Sequence, residues 1–206
     1  MPDLEPFIRP YEPRDLADLY DVCIRTGDAG GDATGGFADD TVIPDVYAGP
    51  YAALQPDLAW VVDTGERVSG YLIAAADTRA FVERYRAEWL PGFAARHPLP
   101  EAAESAEERM IRAGHEPERM LGPDQDLYPA HLHIDLLPEL QGRGFGRKLM
   151  RTLLSELRRR GIPGVHLGFA PENADAGAFY ARLGFHPLPS TPDDPYAVAL
   201  EAGAEV

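Results

Sequence analysis

The short run Gln141-Gly142-Arg143-Gly144-Phe145-Gly146 constrains this chain more than any other stretch. It follows an apolar run, residues 130–137, that predicts a strand. It also opens a helical pattern in which apolar residues recur every four positions from Phe145 to Leu157. In such a strand–turn–helix arrangement, glycines let backbone N–H groups approach a ligand closely, and the helix dipole favours negative charge there. The run therefore predicts a site for a phosphate or pyrophosphate.

The charge around this turn agrees with an anionic ligand. Glu156 is the only acidic residue between positions 143 and 160, against seven basic ones: Arg143, Arg147, Lys148, Arg151, Arg158, Arg159 and Arg160. The whole chain, by contrast, has a net charge of −15, which argues against nucleic acid and anionic membrane as general partners. This acidic background favours a cationic substrate.

Two other glycine-rich phosphate loops do not fit the spacing. A Walker loop needs Gly-Lys-Ser/Thr after four intervening residues, and no such run occurs in the sequence. A dinucleotide fingerprint spaces its glycines G-x-G-x-x-G and places an acidic residue about 20 positions later. Here Gly142, Gly144 and Gly146 are spaced G-x-G-x-G, and residues 161–167 contain no carboxylate. The turn represents another class of loop.

Length and composition favour one domain, residues 1–206, in the cytoplasm. A chain of 206 residues with 45% hydrophobic content fits a single core. Cys23 is the only cysteine, so neither an intrachain disulfide nor a thiolate metal cluster is expected. Residues 1–12 lack the apolar segment of a signal peptide, and no apolar run approaches the ~18 residues that span a bilayer.

Periodicity predicts alternating strands and helices. Strands are expected at 7–11, 59–63, 68–76, 130–137, 164–170, 185–188 and 196–200. The turn between the second and third of these is a hairpin, residues 64–67. Helices are expected from residue 13, from residue 145 to the glycine at 161, and over 174–183, where Gly184 ends the last one.

Two segments depart from this alternation. Residues 78–129 form an insertion, with one helix predicted from Phe81, Tyr85 and Trp89 at four-residue spacing and another over 101–113. Residues 27–40 are rich in glycine and aspartate. The spacing of an EF-hand is absent there, so we expect a loop, with a lid over the entrance of a site as the functional alternative; its carboxylates are Asp28, Asp32, Asp39 and Asp40.

Two signatures on these elements resemble the GNAT family of N-acetyltransferases. The first is Gln-x-x-Gly-x-Gly at 141–146, after a strand, and the second is N-x-x-A-x-x-F-Y-x-x-x-G-F at 173–185. The opening I-R-P-Y-E-P-R-D-L-x-x-L also looks like the first strand and helix of this family. The resemblance implies an α/β fold: a central mixed, twisted sheet flanked by helices, here with a helical insertion between the third and fourth strands.

The insertion resembles one group within that family. The run A-D-T-R-A-F-V-E-R-Y-R-A-E-W-L-P-G-F at 76–93 is similar to part of the acetyltransferase-like C-terminal domain of O-GlcNAcases. So are S-G-Y-L-I-A-A-A-D before it and H-L-H-I-D after it, and the similarity runs from Ile8 to about Leu200. Animal members of that group have lost the glycine loop and are suspected of inactivity, whereas this chain keeps the loop.

The resemblance implies acetyl-CoA as co-substrate and assigns residues to it. The loop and its arginines would anchor the cofactor: Gln141, Gly142, Arg143, Gly144, Phe145, Gly146 and Arg147. In the family the strand before the loop splays from its neighbour, so the backbones of Leu136 and Leu137 are expected to pair with the pantetheine. Asn173 would bind the cofactor or cap its helix, and Phe179 would contact the cofactor or pack in the core.

Two side chains are candidates for proton transfer. The second signature places Tyr180 where many members have a tyrosine that protonates the coenzyme thiolate, and its ordinary pKa near 10 keeps it protonated at neutral pH; core packing is the alternative. Asp135 shares one face of its predicted strand with His131 and His133. A carboxylate there is costly unless used, so Asp135 is expected to act as base, recognise a cationic amine or hold a structural hydrogen bond. The two histidines are too few for a metal site.

These features predict an N-acetyltransferase that passes acetyl from acetyl-CoA to a primary amine by direct attack, since Cys23 is far in sequence from the loop. The rival hypothesis is an inactive acetyl-CoA-binding pseudo-acetyltransferase that serves as an interaction module. The expected partners are acetyl-CoA and a small-molecule or protein amine, without nucleic acid, membrane or metal, and a homodimer is left open. Tyr85, Trp89 and Tyr128 would either line the acceptor pocket or pack the insertion.

Overall fold

The computed structural model describes residues 5–206, so residues 1–4 of the segment tested for a signal peptide lie outside it. Seven strands form one sheet in the order β1-β2-β3-β4-β5-β7-β6. Their bounds are β1 Phe7–Pro10, β2 Ala59–Asp63, β3 Val68–Ala75, β4 Ala130–Leu136, β5 Gly164–Gly168, β6 His186–Pro187 and β7 Ala197–Glu201. They agree with the predicted strands to within one or two residues at the ends, where ladder hydrogen bonds stop.

The sheet is mixed, as predicted. Strands β1 to β4 pair antiparallel in sequence order, and β5, β7 and β6 form a second antiparallel group. The two groups meet at the parallel pair β4–β5, where the register contains only Ala130 with Val165 and His131 with His166. Beyond this point the two strands separate. The α/β fold and the separation of the loop strand from its neighbour are therefore confirmed.

Helices cover both faces of the sheet. Their bounds are α1 Leu16–Ile24, α2 Val42–Tyr47, α3 Gly49–Leu54, α4 Thr78–Arg84, α5 Leu90–Arg96, α6 Ala106–His115, α7 Phe145–Arg159 and α8 Ala174–Arg182. The apolar stripe of α7, with Leu149, Leu153 and Leu157, packs with Leu132 of β4 into one core. Helices α1 and α3 pack into a second core on the face that carries Tyr71 of β3. No helix of residues 5–206 is long and apolar enough to cross a membrane.

The insertion between β3 and β4 contains α4, α5 and α6, and the two predicted helices differ from the observed ones in detail. The aromatic spacing predicts one helix, but a single π-helical turn, Tyr85–Trp89, separates α4 from α5. The helix predicted over 101–113 begins later, at Ala106, because Ser105 caps it reciprocally with Glu108. The short helices α2 and α3, which lie after the glycine-rich loop of residues 27–40, have no predicted counterpart.

A buried carboxylate fastens the insertion to the rest of the domain. Asp45 of α2 accepts hydrogen bonds from the Tyr20 hydroxyl at 2.6 Å and from Arg96 Nε at 3.0 Å. Nε2 of the buried His97 lies 2.8 Å from the same carboxylate. The Trp89 indole donates to the Asp45 carbonyl at 3.1 Å. A carboxylate with several donors tolerates burial, and here the donors come from both α1 and α5, so Asp45 ties these elements together.

The contact between α5 and α6 should be sensitive to one added side chain. Gly114 of α6 faces the fully buried Phe93, and a Cβ at 114 would lie 2.2 Å from its ring. We expect Gly114→Val to destabilise the protein by about 1–3 kcal/mol through overpacking, which lowers Tm by about 2–4 °C for each kcal/mol. Gly122→Val is the control, because an added Cβ there meets open space. Equal melting temperatures for the two variants would contradict this packing.

Candidate active site

A cavity of about 890 Å³ occupies the opening where β4 and β5 separate. Residues 132–135 of β4 and 166–168 of β5 form its sides, and Tyr180 of α8 also lines it. The loop before α2 contributes Gly27, Ala29 and Gly30, and the end of the insertion contributes residues 119–125. The cavity thus joins the strand before the glycine loop to the face of the sheet that carries the insertion.

The glycine loop has the backbone geometry that a ligand-binding turn needs. Gly142 and Gly144 have φ of +69° and +82°, values that favour glycine, and a Cβ at either position would meet no atom within 4 Å. The first hydrogen bond of α7 is donated by Lys148 to the Gly144 carbonyl. Among the described residues, the N–H groups of residues 142–147 donate no hydrogen bond. A row of free donors therefore stands at a helix N-terminus.

Cationic side chains surround these donors. Arg143, Arg147 and Lys148 are exposed on the first turns around the loop. The Arg143 guanidinium and the Lys148 ammonium lie 5.7 Å and 4.9 Å from the centre of the Phe145 ring. The Glu5 carboxylate lies 3.4 Å from Arg143 Nη2. Because the Glu5 side chain is exposed to solvent, this ion pair is weak. The loop is accordingly equipped for a pyrophosphate in both backbone and charge.

The backbone of β4 differs from the prediction at one residue. Leu137 donates its N–H to the Ser69 carbonyl of β3 at 2.9 Å, so this donor is not available to a pantetheine, and the expectation for Leu137 is corrected. Backbone groups alternate in direction along an antiparallel strand, so those of Ile134 and Leu136 point away from β3, toward the opening. The Leu136 carbonyl accepts a hydrogen bond from Gln141 Nε2 at 2.9 Å. The N–H groups of Ile134 and Leu136 are thus the donors that face the opening.

Asp135 lies on the cavity wall with its carboxylate held by a tyrosine. The fully buried Tyr71 donates its hydroxyl to Asp135 Oδ2 at 2.5 Å. Burial raises the pKa of Asp135 to about 6, although the Tyr71 hydrogen bond opposes the rise. Asp135 therefore has the structural hydrogen bond that was one of its predicted roles. Its pKa also lies near the range in which a carboxylate can accept a proton.

Tyr180 presents its hydroxyl to the same cavity. Its ring is buried among Phe169, Phe179 and Phe185, with centroid distances of 5.6, 5.3 and 5.2 Å. The hydroxyl makes no hydrogen bond within the described residues, and no fully buried side-chain oxygen there lacks a partner, so this oxygen must reach the open space of the cavity. Burial, with a smaller contribution from the Asp135 charge, raises the pKa of Tyr180. The group stays protonated at neutral pH.

Asn173 and Phe179 have the structural roles that the sequence left open. The Asn173 side chain accepts a hydrogen bond from the Ala176 N–H at 3.0 Å and so caps α8. Its amide also touches the 27–40 loop, since a Cβ on Gly30 would lie 3.1 Å from Asn173 Nδ2. Phe179 packs against Gly146, where a Cβ would come within 3.0 Å of the ring. Asn173 also lines the cavity, so capping does not remove it from the site.

The histidines of β4 belong to a buried hydrogen-bond chain. The Tyr51 hydroxyl lies 2.8 Å from His131 Nε2 and 3.1 Å from His133 Nε2, and Thr78 Oγ1 lies 2.7 Å from His131 Nδ1. Burial lowers the pKa of His131 and lowers that of His133 to about 4, with Arg119 adding to both shifts. Both imidazoles are neutral at pH 7. In the part of the chain that the structure covers, no cluster of His, Cys, Asp or Glu could hold a metal ion.

The insertion contributes residues that sequence reasoning missed. Trp89 bonds the Asp45 carbonyl, Tyr85 donates its hydroxyl to the Gly114 carbonyl at 2.9 Å, and Tyr128 bonds Glu201 at 3.1 Å. None of these three aromatics lines the cavity. Arg119, Met120 and Asp124 do line it. The proline-interrupted run that carries them, residues 117–129, has no periodicity from which their position could be read. Cys23, far from the loop in sequence, lines the cavity as well.

Comparison with known proteins agrees with this geometry. The acetyltransferase (GNAT) family model matches residues 36–185. Mouse protein O-GlcNAcase is 26% identical over 184 residues, which are 86% of this chain and 20% of that protein, so the chain spans about a fifth of this relative's length. The crystal structure of SsHAT is 44% identical, with a TM-score of 0.89 over 97% of this chain and 99% of that one.

A more distant structure shows the same fold. The yncA protein of Salmonella typhimurium, solved with its cofactor acetyl-CoA, is 16% identical, with a TM-score of 0.53 over 98% of this chain and 96% of that one. The resemblance of this chain to O-GlcNAcases is confirmed by the match to the mouse protein, which covers 86% of the chain. The chain belongs to the GNAT family of acetyltransferases.

Proposed function

We propose that this protein transfers an acetyl group from acetyl-CoA directly to a primary amine. One observation carries the proposal: the opening between β4 and β5 puts the Asp135 carboxylate and the Tyr180 hydroxyl on one cavity, at the strand that leads into the glycine loop. A proton acceptor and a proton donor on the same cavity are what amine acylation requires. The family supports acetyl transfer from acetyl-CoA in general, and the acceptor is the part that this site must define.

The residues around the glycine loop fit a bound coenzyme. The free N–H groups of residues 142–147 and the side chains of Arg143 and Arg147 would hold the pyrophosphate, and open space at Gly142 and Gly144 lets it approach the backbone. The N–H groups of Ile134 and Leu136 would pair with the pantetheine arm and donate to the carbonyl oxygen that gains negative charge. When bound, acetyl-CoA supplies the activated acetyl thioester.

Asp135 and Tyr180 have opposite tasks in this proposal. An amine with a lysine-like pKa near 10.4 must lose a proton before it attacks, and Asp135, deprotonated above about pH 6, receives that proton or orders the water that carries it. Tyr180 remains protonated because burial raises its pKa, so its hydroxyl can donate to the leaving thiolate. At neutral pH Asp135 is ionised even though burial raises its pKa, whereas burial helps to keep Tyr180 protonated.

Direct transfer remains the proposed route even though Cys23 lines the cavity. An acetylated cysteine would require an accessible thiolate, because the thiolate is the nucleophilic form. Cys23 is buried, and burial together with the Asp135 charge raises the pKa of its thiol. The thiol is therefore a poor nucleophile at neutral pH, and the amine is the better attacking group.

The experiment that tests the cofactor site is thermal unfolding with and without acetyl-CoA. At ligand about 100 times its Kd, the expected stabilisation is roughly 2.7 kcal/mol, or about 5–10 °C for a chain of this size. Gly144→Glu should lose the shift, because it adds a negative side chain at a positive-φ position of the loop. Gly161→Glu is the matched control: Gly161 also has positive φ (+70°) and open space around it, but it lies at the far end of α7.

Turnover is measured on the same samples as release of free CoA with a panel of amines. A ligand shift that Gly161→Glu retains and Gly144→Glu loses, together with amine-dependent CoA release, supports the proposal. A shift without CoA release from any amine favours an acetyl-CoA-binding module instead. If the folded wild type shows no shift at saturating acetyl-CoA, the loop does not bind the coenzyme and the proposal fails.

A further inference from the structure

One side of the cavity lies on the sheet face opposite α7 and its glycine loop. Asp135, His133 and His131 point to the sheet face packed by α1 and α3, whereas Leu132, Ile134 and Leu136 pack on the side of α7. The glycine loop opens α7, so the coenzyme's anchor belongs to that second side. Residues 119–125 of the insertion, together with Tyr47 and His133, line the cavity on the first side. An amine would meet this wall.

Among residues 5–206, Arg119 is the one lysine or arginine that lines the cavity. Its Nε donates to the Ala113 carbonyl at 2.9 Å, and its guanidinium lies 5.2 Å from the centre of the Tyr47 ring. No carboxylate of residues 5–206 lies within ion-pair distance of it, and its two terminal nitrogens make no hydrogen bond to those residues. The guanidinium is thus held through Nε and the ring, and its two terminal nitrogens are unpaired within residues 5–206 on an exposed side chain that lines the cavity.

The three carboxylates that line the cavity bond to other groups, and none lies within ion-pair distance of Arg119. Asp135 accepts the Tyr71 hydroxyl, Asp124 accepts the Ser190 backbone N–H at 3.1 Å, and Asp194 accepts the Tyr196 N–H at 2.9 Å. His133 is neutral at pH 7, so the positive charge of this wall belongs to Arg119. An arginine that lines the cavity without a carboxylate partner is a candidate for binding an external anion.

Arg119 and Asp135 are connected through a short series of contacts. Arg119 covers the Tyr47 ring, and that ring packs edge-on against His133 at a centroid distance of 5.3 Å. His133 and Asp135 are alternate residues of β4, and alternate residues of a strand are about 7 Å apart on one face. A cation and a carboxylate therefore flank one side of the cavity, with neutral aromatic rings between them.

We propose that the acceptor is an amine that also carries an anionic group, a carboxylate or a phosphate. The amine lies at Asp135 and the anionic group pairs with the outer nitrogens of Arg119. This inference rests on the proposed function, because it names the acceptor class of the same site. It also refines the expectation from net charge alone: a purely cationic amine would leave Arg119 unpaired and repelled, whereas an amine with an anionic group satisfies both ends of the wall.

The test compares matched acceptor pairs that differ only in the anionic group: lysine with cadaverine, 4-aminobutyrate with butylamine, and glucosamine 6-phosphate with glucosamine. We expect a lower KM for the anionic member of at least one pair. In Arg119→Gln, that KM should rise by about 10- to 100-fold, because a charged hydrogen-bonded pair is lost. The KM of the member without the anionic group and the kcat of both members should change little. Arg119→Lys should recover part of the lost affinity for the anionic member. The carboxylate and phosphate pairs separate the two sources of anion.

Arg182→Gln is the matched control, because Arg182 is also exposed and without an ion pair within residues 5–206, but lies on α8 outside the cavity. A second readout, calorimetric binding of the same amines to the CoA-loaded protein, does not require turnover.

If cadaverine, butylamine or glucosamine is acetylated as well as its anionic partner in wild type and in Arg119→Gln, the acceptor class is wrong and the transferase proposal stands. If no anionic amine binds or is acetylated, the inference is overturned. If Arg119→Gln raises KM equally for both members of a pair, Arg119 does not recognise the anionic group, and the inference is overturned.

Discussion

Replacing Tyr180 with phenylalanine is expected to lower turnover by about 10²–10⁴ while leaving acetyl-CoA affinity nearly unchanged. The substitution removes one hydroxyl, and that hydroxyl makes no hydrogen bond to the described residues, so no buried partner is left unsatisfied. The ring contacts with Phe169, Phe179 and Phe185 remain. The measurement is kcat for CoA release beside the acetyl-CoA-induced shift in Tm.

Tyr128→Phe serves as the control for this change. Tyr128 is also a buried tyrosine, but its hydroxyl bonds Glu201 outside the cavity. Its loss should leave kcat unchanged. A Tyr180→Phe variant with wild-type turnover would remove Tyr180 from the mechanism and leave core packing as its role. A variant that loses the acetyl-CoA shift as well would mean that the hydroxyl binds the cofactor rather than donates a proton.

Asp135→Asn is expected to reduce turnover by about 10²–10⁴, because an amide accepts the Tyr71 hydrogen bond but no proton from the amine. The pH profile identifies the group. Burial raises the pKa of Asp135 to about 6, so wild-type turnover should fall as the pH drops through 6, and this inflection should be absent from the variant. Turnover that stays at the wild-type level in Asp135→Asn would leave the carboxylate with a structural role only.

The Tyr71→Phe variant tests whether the inflection in the pH profile belongs to Asp135. The hydrogen bond from Tyr71 opposes the rise in the pKa of Asp135, so its removal should move the inflection to higher pH. An inflection that does not move in Tyr71→Phe would belong to another group.

The raised pKa of Asp135 also predicts how folding stability depends on pH. The folded-state pKa lies above the ordinary value, so ionising Asp135 costs folding free energy, and wild type should lose stability relative to Asp135→Asn as the pH rises from about 4 to 6.

Patterns that are local in sequence predicted most of the fold. The period-four stripe of α7 and the glycine-rich turn before it depend on neighbouring residues only, and both lie where the sequence predicted them. The alternation along β4 correctly put Asp135 with His131 and His133 on one face. Helices α2 and α3 were missed because their six residues each are too few to establish a period, and they form against the core instead.

Sequence predicted the site residues that lie together on one strand or within one signature. The N–H of Leu137 is taken by Ser69, and that pairing depends on the register of β3, which spacing in β4 does not reveal. Cys23 reaches the cavity because α1 packs beneath β3, and Arg119 reaches it because the irregular end of the insertion folds back over Tyr47. These are tertiary contacts between distant segments, and no pattern within either segment encodes them.

The position of the insertion has a consequence for how such a protein can change its specificity. In the proposed site, residues 134–147 would anchor the coenzyme, whereas residues 119–125, just before β4, would form much of the wall that meets the acceptor. Substitutions, lengthening or shortening of that stretch leave the glycine loop and the proton-transfer groups in place. On this proposed assignment, related chains would share one acyl donor and differ in the amines they modify through changes in a single segment.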